Sequence, residues 1–392
     1  MPARQCAEFA QSSGDIRSAV EFLAIAKADA EAFKLAEQYD HMDVYVSALD
    51  GQGTNEQHIA IAQFFEKRNL LAEAAEHYSA CGEYSVALRY YLKVGESQIE
   101  KAIEVVGKAR NDMLTNTLID YLMGESDHVS KDPNYVYRLH KALGNYAQAA
   151  QTAVLITKQE QDMGNYRDAH KLMLQTHLDL QAQKIPVPAD LSRQLMLLHS
   201  YTLVKRFVKL QDHLSAAKLL CRVSDSIRSF PSHAVPILTS TVIECQRAGM
   251  KGSAYTFACQ LMTPQYRQDI QEQYKKKIEQ VVRKSGSREN EVDVTNVPCL
   301  FCGVEGEDTH LKCDTCLAII PYCIVTGLRM LKHDFSYCTN TMFPARYSEI
   351  TKLAKNGELH PLLNTEIDLT AWKKVADFRE EYEPLKANKE SS

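Results

Sequence analysis

The chain has 392 residues, 45% apolar and 24% charged, with 16 Gly, 12 Pro and one Trp, which favours a helix-rich fold over a β-sandwich or a disordered chain. Its 45 basic and 50 acidic residues leave a net charge of -5, so no global positive field exists to hold a nucleic acid. No secretory leader stands at the start, and the longest apolar run (316–325) is far short of the ~20 residues a membrane-spanning helix needs, so a soluble, cytosolic chain without a transmembrane segment is expected.

From the start to about residue 284 the sequence reads as helix after helix. One pattern returns between them: a turn residue, an aromatic or aliphatic residue two on, and Ala five on. It appears as GDIRSA (14–19), NLLAEA (69–74), GEYSVA (82–87), GNYAQA (144–149), GNYRDA (164–169), DHLSAA (212–217) and GMKGSA (249–254). The first residue ends one helix in the left-handed conformation and a following Asn or Asp can cap the next. The third should pack back on the preceding helix, and the Ala should let two backbones approach. Such helical hairpins cannot bury their apolar faces alone and must stack, so residues 1–284 are expected to form a degenerate tetratricopeptide-like α-solenoid. An irregular helical domain is the alternative. Tyr84, Tyr90, Tyr91, Tyr146 and Tyr166 fall at helical spacing and read as packing residues, not a ligand box.

Residues 263–284 open with Thr-Pro and carry Lys275, Lys276, Lys277, Arg283 and Lys284, which predicts one helix with a solvated basic face. Residues 285–296 have the composition of an exposed linker. A small zinc-binding, zinc-ribbon-like module, 297–346, is expected after it.

Six of the 11 cysteines fall between Cys299 and Cys338. Thiolates bind zinc tetrahedrally, and a Cys-x-x-Cys turn aims two sulfurs at one point; Cys299/Cys302 and Cys313/Cys316 therefore predict one four-thiolate structural Zn2+ site. With no open coordination position such a site has no place to activate water, so catalysis is not expected there. In a segment this small, zinc can contribute ~10–16 kcal/mol of apparent folding free energy. Cys323, His333 and Cys338 form a candidate second set, with His310 read as a surface residue. The remaining cysteines, Cys6, Cys81, Cys221, Cys245 and Cys259, read as small buried hydrophobes.

A RING-type ubiquitin ligase would need eight interleaved ligands, including a central Cys-x-His that KCDTCLAIIPYC lacks. Glu305, Glu307 and Asp308 between the Cys pairs would repel a nucleic acid. The segment 347–392 reads as a helical tail in which Trp372 anchors packing. Loss of Cys313 should melt the Cys-rich segment and leave the helices intact.

A degenerate helical array, then CLFC…CDTC, then IIPYCIVTG resembles the C-terminal region of the large WD-repeat/tetratricopeptide-like subunits of intraflagellar transport complex A. The resemblance covers essentially the whole chain and implies a non-enzymatic scaffold of the retrograde ciliary train, serving cilium assembly and the trafficking of membrane receptors. It implies other complex A subunits as partners, with complex B, a dynein motor and a tubby-like cargo adaptor beyond them, and localisation to the cilium, its basal body and the cytoplasm. A coat- or tether-like vesicle-trafficking subunit is the competing expectation. The family's N-terminal WD-repeat propellers are not in this sequence, which begins as though inside a helical repeat, as expected of a C-terminal fragment or short isoform.

Overall fold

The alanine at the sixth place of the turn pattern is the most consistently buried feature of the helices. Ala19, Ala74, Ala87, Ala149, Ala169, Ala217 and Ala254 are all 2% exposed or less. The methyl side chain lets neighbouring helix backbones approach closely. The first residue of the pattern is left-handed in six of the seven turns; in DHLSAA the left-handed residue is Gln211, one position earlier, at φ 58°. That shift leaves Leu214 at 48% exposure instead of packed backwards.

The computed structural model describes residues 2–49, 53–125, 128–284 and 295–382. Two compact units divide the chain, Met1–Asn145 and Tyr146–Ser392. The first contains α1 (Pro2–Ser12), α2 (Ile16–Ile25), α3 (Asp29–Tyr39), α4 (Met42–Leu49), α5 (Asn55–Lys67), α6 (Leu71–Ala80), α7 (Tyr84–Val94), α8 (Ile99–Ala109), α9 (Asp112–Met123) and α10 (Pro133–Ala142). Here α1 packs on α2, α5 on α6 and α6 on α7, as a stacked hairpin array requires. On α8 the buried residues Ile99, Ala102, Ile103 and Val106 follow the i, i+3, i+4, i+7 stripe of a helix with one apolar face. Tyr90 and Tyr91 are buried, and the hydroxyls of Tyr78 and Tyr90 donate to Glu66 at 2.8 and 2.5 Å, which holds that carboxyl below its ordinary range.

The second unit begins with α11 (Tyr146–Met163), α12 (Tyr166–Ala182), α13 (Ala189–Lys209), α14 (His213–Asp225), α15 (Ala234–Ala248) and α16 (Lys251–Leu261), each packed on the next, α14 meeting α15 directly although 3-10 turns intervene in the chain. The single helix expected over 263–284 is broken into α17 (Pro264–Arg267) and α18 (Glu272–Lys284). In the first turn Thr263 O accepts from both Tyr266 N and Arg267 N, and past Arg267 the tighter bond Asp269 N to Tyr266 O ends the helix in a pitch that does not propagate. Ile278 and Val281 are buried, Lys275 pairs with Glu272 at 3.0 Å, and Lys276, Lys277 and Arg283 face solvent.

Residues 285–294 of the expected linker lie outside the described residues, and its end is already strand. β1 (Asn296–Pro298) pairs antiparallel with β2 (Glu305–Glu307), Val297 opposite Gly306. β3 (Phe335–Cys338) lies between β4 (Pro344–Arg346) and β5 (Trp372–Lys374), both antiparallel to it. The segment expected as a helical tail thus supplies a strand to this sheet, with helix confined to α19 (Tyr347–Lys355), one 3-10 turn and α20 (Phe378–Glu381). Aromatic packing explains the return: Phe378 and Tyr382 both sit 5.0 Å from Phe335, ring centre to ring centre, and Trp372 is buried opposite Cys338. Among the described residues no helix is long and apolar enough to cross a membrane.

Candidate metal centre

Among the described residues, five turns after residue 298 share one backbone design. In each, the N–H of a first residue donates to the carbonyl five positions on, and its own carbonyl accepts from the N–H four positions on. The first residues are Cys299, Cys313, Cys323, Cys338 and His360. The residue four positions on is left-handed every time: Gly303, Leu317, Gly327, Met342 and Asn364. Such a turn frees inner N–H groups to point at the first side chain, as when Phe301 N donates to Cys299 Sγ at 3.4 Å.

Only the first two turns carry a second thiol, three residues on, at Cys302 and Cys316. The structure brings these four together: Cys299 Sγ lies 3.8 Å from Cys316 Sγ, Cys302 Sγ lies 3.5 Å from Cys313 Sγ, and all four sulfurs fall within 4.8 Å of one another. A tetrahedron of sulfurs ~2.3 Å from a central ion has edges of about 3.8 Å, so the spacing fits a four-thiolate metal. Backbone N–H groups of Cys316 and Thr315 hold the Cys313 thiol down to about 6. For Cys316 the Ala318 N–H favours the thiolate, but desolvation and the three neighbouring thiols outweigh it and push the group up to about 12. Four thiols this close cannot all ionise without a cation among them. Cys299 and Cys313 are buried, Cys302 and Cys316 exposed.

The third, fourth and fifth turns place Thr326, Thr341 and Leu363 where the second thiol would stand. Cys323 is fully buried and its Sγ accepts from Arg346 N at 3.2 Å; Cys338 is buried beside β5. His333 is exposed. Among the described residues Cys323, His333 and Cys338 form no cluster of ligand atoms, whereas the first four do. Cys323 and Cys338 look like ligands in sequence because they hold the first position of the same turn. His360, absent from the sequence candidates, holds that position too, and its Nδ1 accepts from Leu362 N and Leu363 N at 3.2 and 3.1 Å. No Cys spacing could have flagged it. His310 is exposed and meets Glu307 at 3.3 Å, as expected of a surface residue. Among the scattered cysteines only Cys245 is buried, and Cys6 is exposed, contrary to expectation.

Helices of the same unit hold the Cys-rich segment. Lys218 on α14 pairs with Asp308 at 2.6 Å, both side chains 7% exposed, and also reaches Thr295 Oγ1 at 2.9 Å. Asp308 therefore does not face solvent as the sequence suggested. Arg222, one turn further on α14, donates to the carbonyls of Thr309 and Gly327. His199 Nε2 on α13 donates to Ile324 O at 2.8 Å, and His177 on α12 stacks on Phe343 at 4.6 Å.

A mouse protein, WD repeat-containing protein 19, is 45% identical over 380 residues, and its human counterpart is 43% identical over the same length; each alignment takes in 96% of this chain and 28% of the relative. The chain is homologous to part of WD repeat-containing protein 19. WD repeat-containing protein dyf-2 of Caenorhabditis elegans is 39% identical over 354 residues, 90% of this chain and 26% of the relative. The chain thus spans little more than a quarter of the length of WD repeat-containing protein 19, and the helices and the Cys-rich segment are aligned together. The resemblance read from the sequence pointed to this family. No family model matches the chain.

Proposed function

We propose that the chain is a non-enzymatic scaffold element of intraflagellar transport complex A, acting in retrograde ciliary transport, cilium assembly and the ciliary trafficking of membrane receptors. The observation that carries this reading is the similarity to WD repeat-containing protein 19 over 96% of the chain. Two structural features support it. Stacked helical hairpins present extended surfaces and suit protein partners. The four-thiolate cluster would saturate a zinc ion and serve as a staple, with Cys299, Cys302, Cys313 and Cys316 as ligands. Other complex A subunits are the primary partners, and the cilium and its base the site of action; complex B, a dynein motor and a tubby-like adaptor are more distant ones.

Crosslinking of the tagged full chain in ciliated cells tests this. Crosslinks to complex A subunits are expected. A set of partners containing no ciliary transport subunit would overturn the reading.

A further inference from the structure

Cys221 and Cys245 read in the sequence as two unrelated small hydrophobes, 24 residues apart. The fold sets them against each other across the packed helices α14 and α15, with Cys221 Sγ 3.6 Å from Cys245 Sγ. That separation is about 1.5 Å longer than the ~2.05 Å of a disulfide bond, a gap of the size that side-chain rotation spans. Among the described residues neither thiol belongs to a cluster of three or more metal-ligating groups, which separates this pair from the four-thiolate site. The two thiols differ in access. Cys245 has no exposed surface, whereas Cys221 is partly exposed and lines a cavity of about 400 Å3 between α13, α14, α16 and β2. The charges of its wall balance, Arg193, Lys218 and Arg222 against Asp225, Glu307 and Asp308, with His310 beside Glu307. A cavity so lined has no strong preference for an ion of either sign and admits a small neutral molecule.

We propose that Cys221 and Cys245 are a site of reversible oxidation, at which hydrogen peroxide entering by the cavity converts the two thiols to a disulfide between α14 and α15. Cys221 reacts first because it has the access. Its thiolate sulfur attacks one peroxide oxygen, the O–O bond breaks, and the sulfur becomes a sulfenic acid; the other oxygen leaves as hydroxide and takes up the proton that the thiol released, giving water. Cys245 Sγ then attacks the sulfenic sulfur. The S–S bond forms, the S–O bond breaks, and that oxygen leaves with the Cys245 proton as a second water. Two thiols lose two electrons and one peroxide gains them; a thiol reductant reverses the change by exchange. The bond fastens to α15 the helix whose Lys218 and Arg222 hold the Cys-rich segment.

The test treats the purified, zinc-loaded full chain with limiting hydrogen peroxide, blocks the remaining thiols with N-ethylmaleimide, digests without reductant and identifies the peptides by mass spectrometry. A peptide pair joined through Cys221 and Cys245 is expected, and dithiothreitol should abolish it. Because the resolving thiol is already in contact, oxidised Cys221 should be found in that bond at least about tenfold more often than as sulfinic acid. Cys245→Ala, which keeps the position small and apolar, should reverse that ratio and leave Cys221 as a sulfenic acid that dimedone traps. Cys221→Ala should leave the buried Cys245 a thiol under the same treatment. If Cys245→Ala does not fold, the crosslink in the parent chain still decides the matter. Cys221 carried on to sulfinic acid in the parent while Cys245 stays a thiol would overturn the proposal. So would disulfides from Cys221 to other cysteines in equal yield, or an unreacted Cys221 in a chain whose exposed Cys6 has been oxidised.

Discussion

Gly327 meets two constraints at once. Its φ is +73°, and a Cβ built there would stand 2.5 Å from Leu219 Cδ2 on α14. Gly327→Ala should therefore cost about 2 kcal/mol, from overpacking together with left-handed strain, read as a shift in the urea midpoint. Adding Leu219→Ala should relieve the clash but not the strain, so the double variant would fall short of the sum of the two single effects. Three histidines of the same unit set its response to acid. Burial, with His170 nearby, pushes His199 down to about 3, and burial pushes His170 and His360 down to about 4. Each binds a proton in the unfolded chain near its ordinary value of about 6.5 but not in the folded one, so folded stability is full above that pH and falls as pH drops toward 4. The loss is about 1.4 kcal/mol per pH unit for the fully buried His199 and less for the half-buried His170. Urea titrations between pH 7 and pH 4.5 should show it. His199→Gln, which keeps a donor for the Ile324 carbonyl, should flatten the slope by roughly one histidine's share; an unchanged slope would mean His199 does not titrate in that window.

At the scale of elements, the turns that open on Gly, Asn or Asp and keep Ala at the sixth place were legible, and those that lack either were not. Lys27 is left-handed and precedes Ala32, which has no exposed surface, so KADAEA is a turn of the same kind that its opening Lys conceals. Asp40, left-handed before Met42 and Tyr45, hides another, because Tyr replaces Ala at the buried place. The four-thiolate cluster was legible because two Cys-x-x-Cys turns state their geometry locally. The contact between α14 and the Cys-rich segment was not: Lys218 and Asp308 are 90 residues apart and each reads as a surface charge. That pair makes a prediction of its own. Asp308→Asn leaves a buried ammonium without its counterion and should cost about 3–5 kcal/mol, whereas Lys218→Met with Asp308→Leu removes both charges and should lie close to the parent. Chemical denaturation of the three variants decides it. If the double variant is as unstable as the single, the pair contributes net attraction beyond its own desolvation.

For the whole molecule, the sequence places a boundary near residue 285, yet the Cys-rich segment lies in one compact unit with α11 to α18. What the metal would hold is narrower than that unit. The first two turns rest on their backbone bonds, on Arg379 donating to Phe301 O, on Phe301 packed 5.2 Å from Phe378, ring centre to ring centre, and on Arg329 donating to Lys312 O at 3.1 Å, but their four sulfurs repel one another once ionised. The later turns are closed by protein alone, with Arg346 N on Cys323 Sγ, the N–H groups of Leu362 and Leu363 on His360 Nδ1, and a β4–β3–β5 sheet backed by Phe335, Phe378 and Tyr382. Chelation of a chain that holds one zinc, or Cys313→Ser, should therefore loosen residues 296–320 and spare 335–346, as read by hydrogen exchange. The chain's single tryptophan gives a second reading. Trp372 is buried in β5 beside Cys338, so its fluorescence should hold steady through chelation and change only when the unit unfolds in denaturant. If Trp372 becomes exposed as soon as zinc is removed, the five turns stand or fall together, and the protein-closed turns depend on the ion as much as the first two.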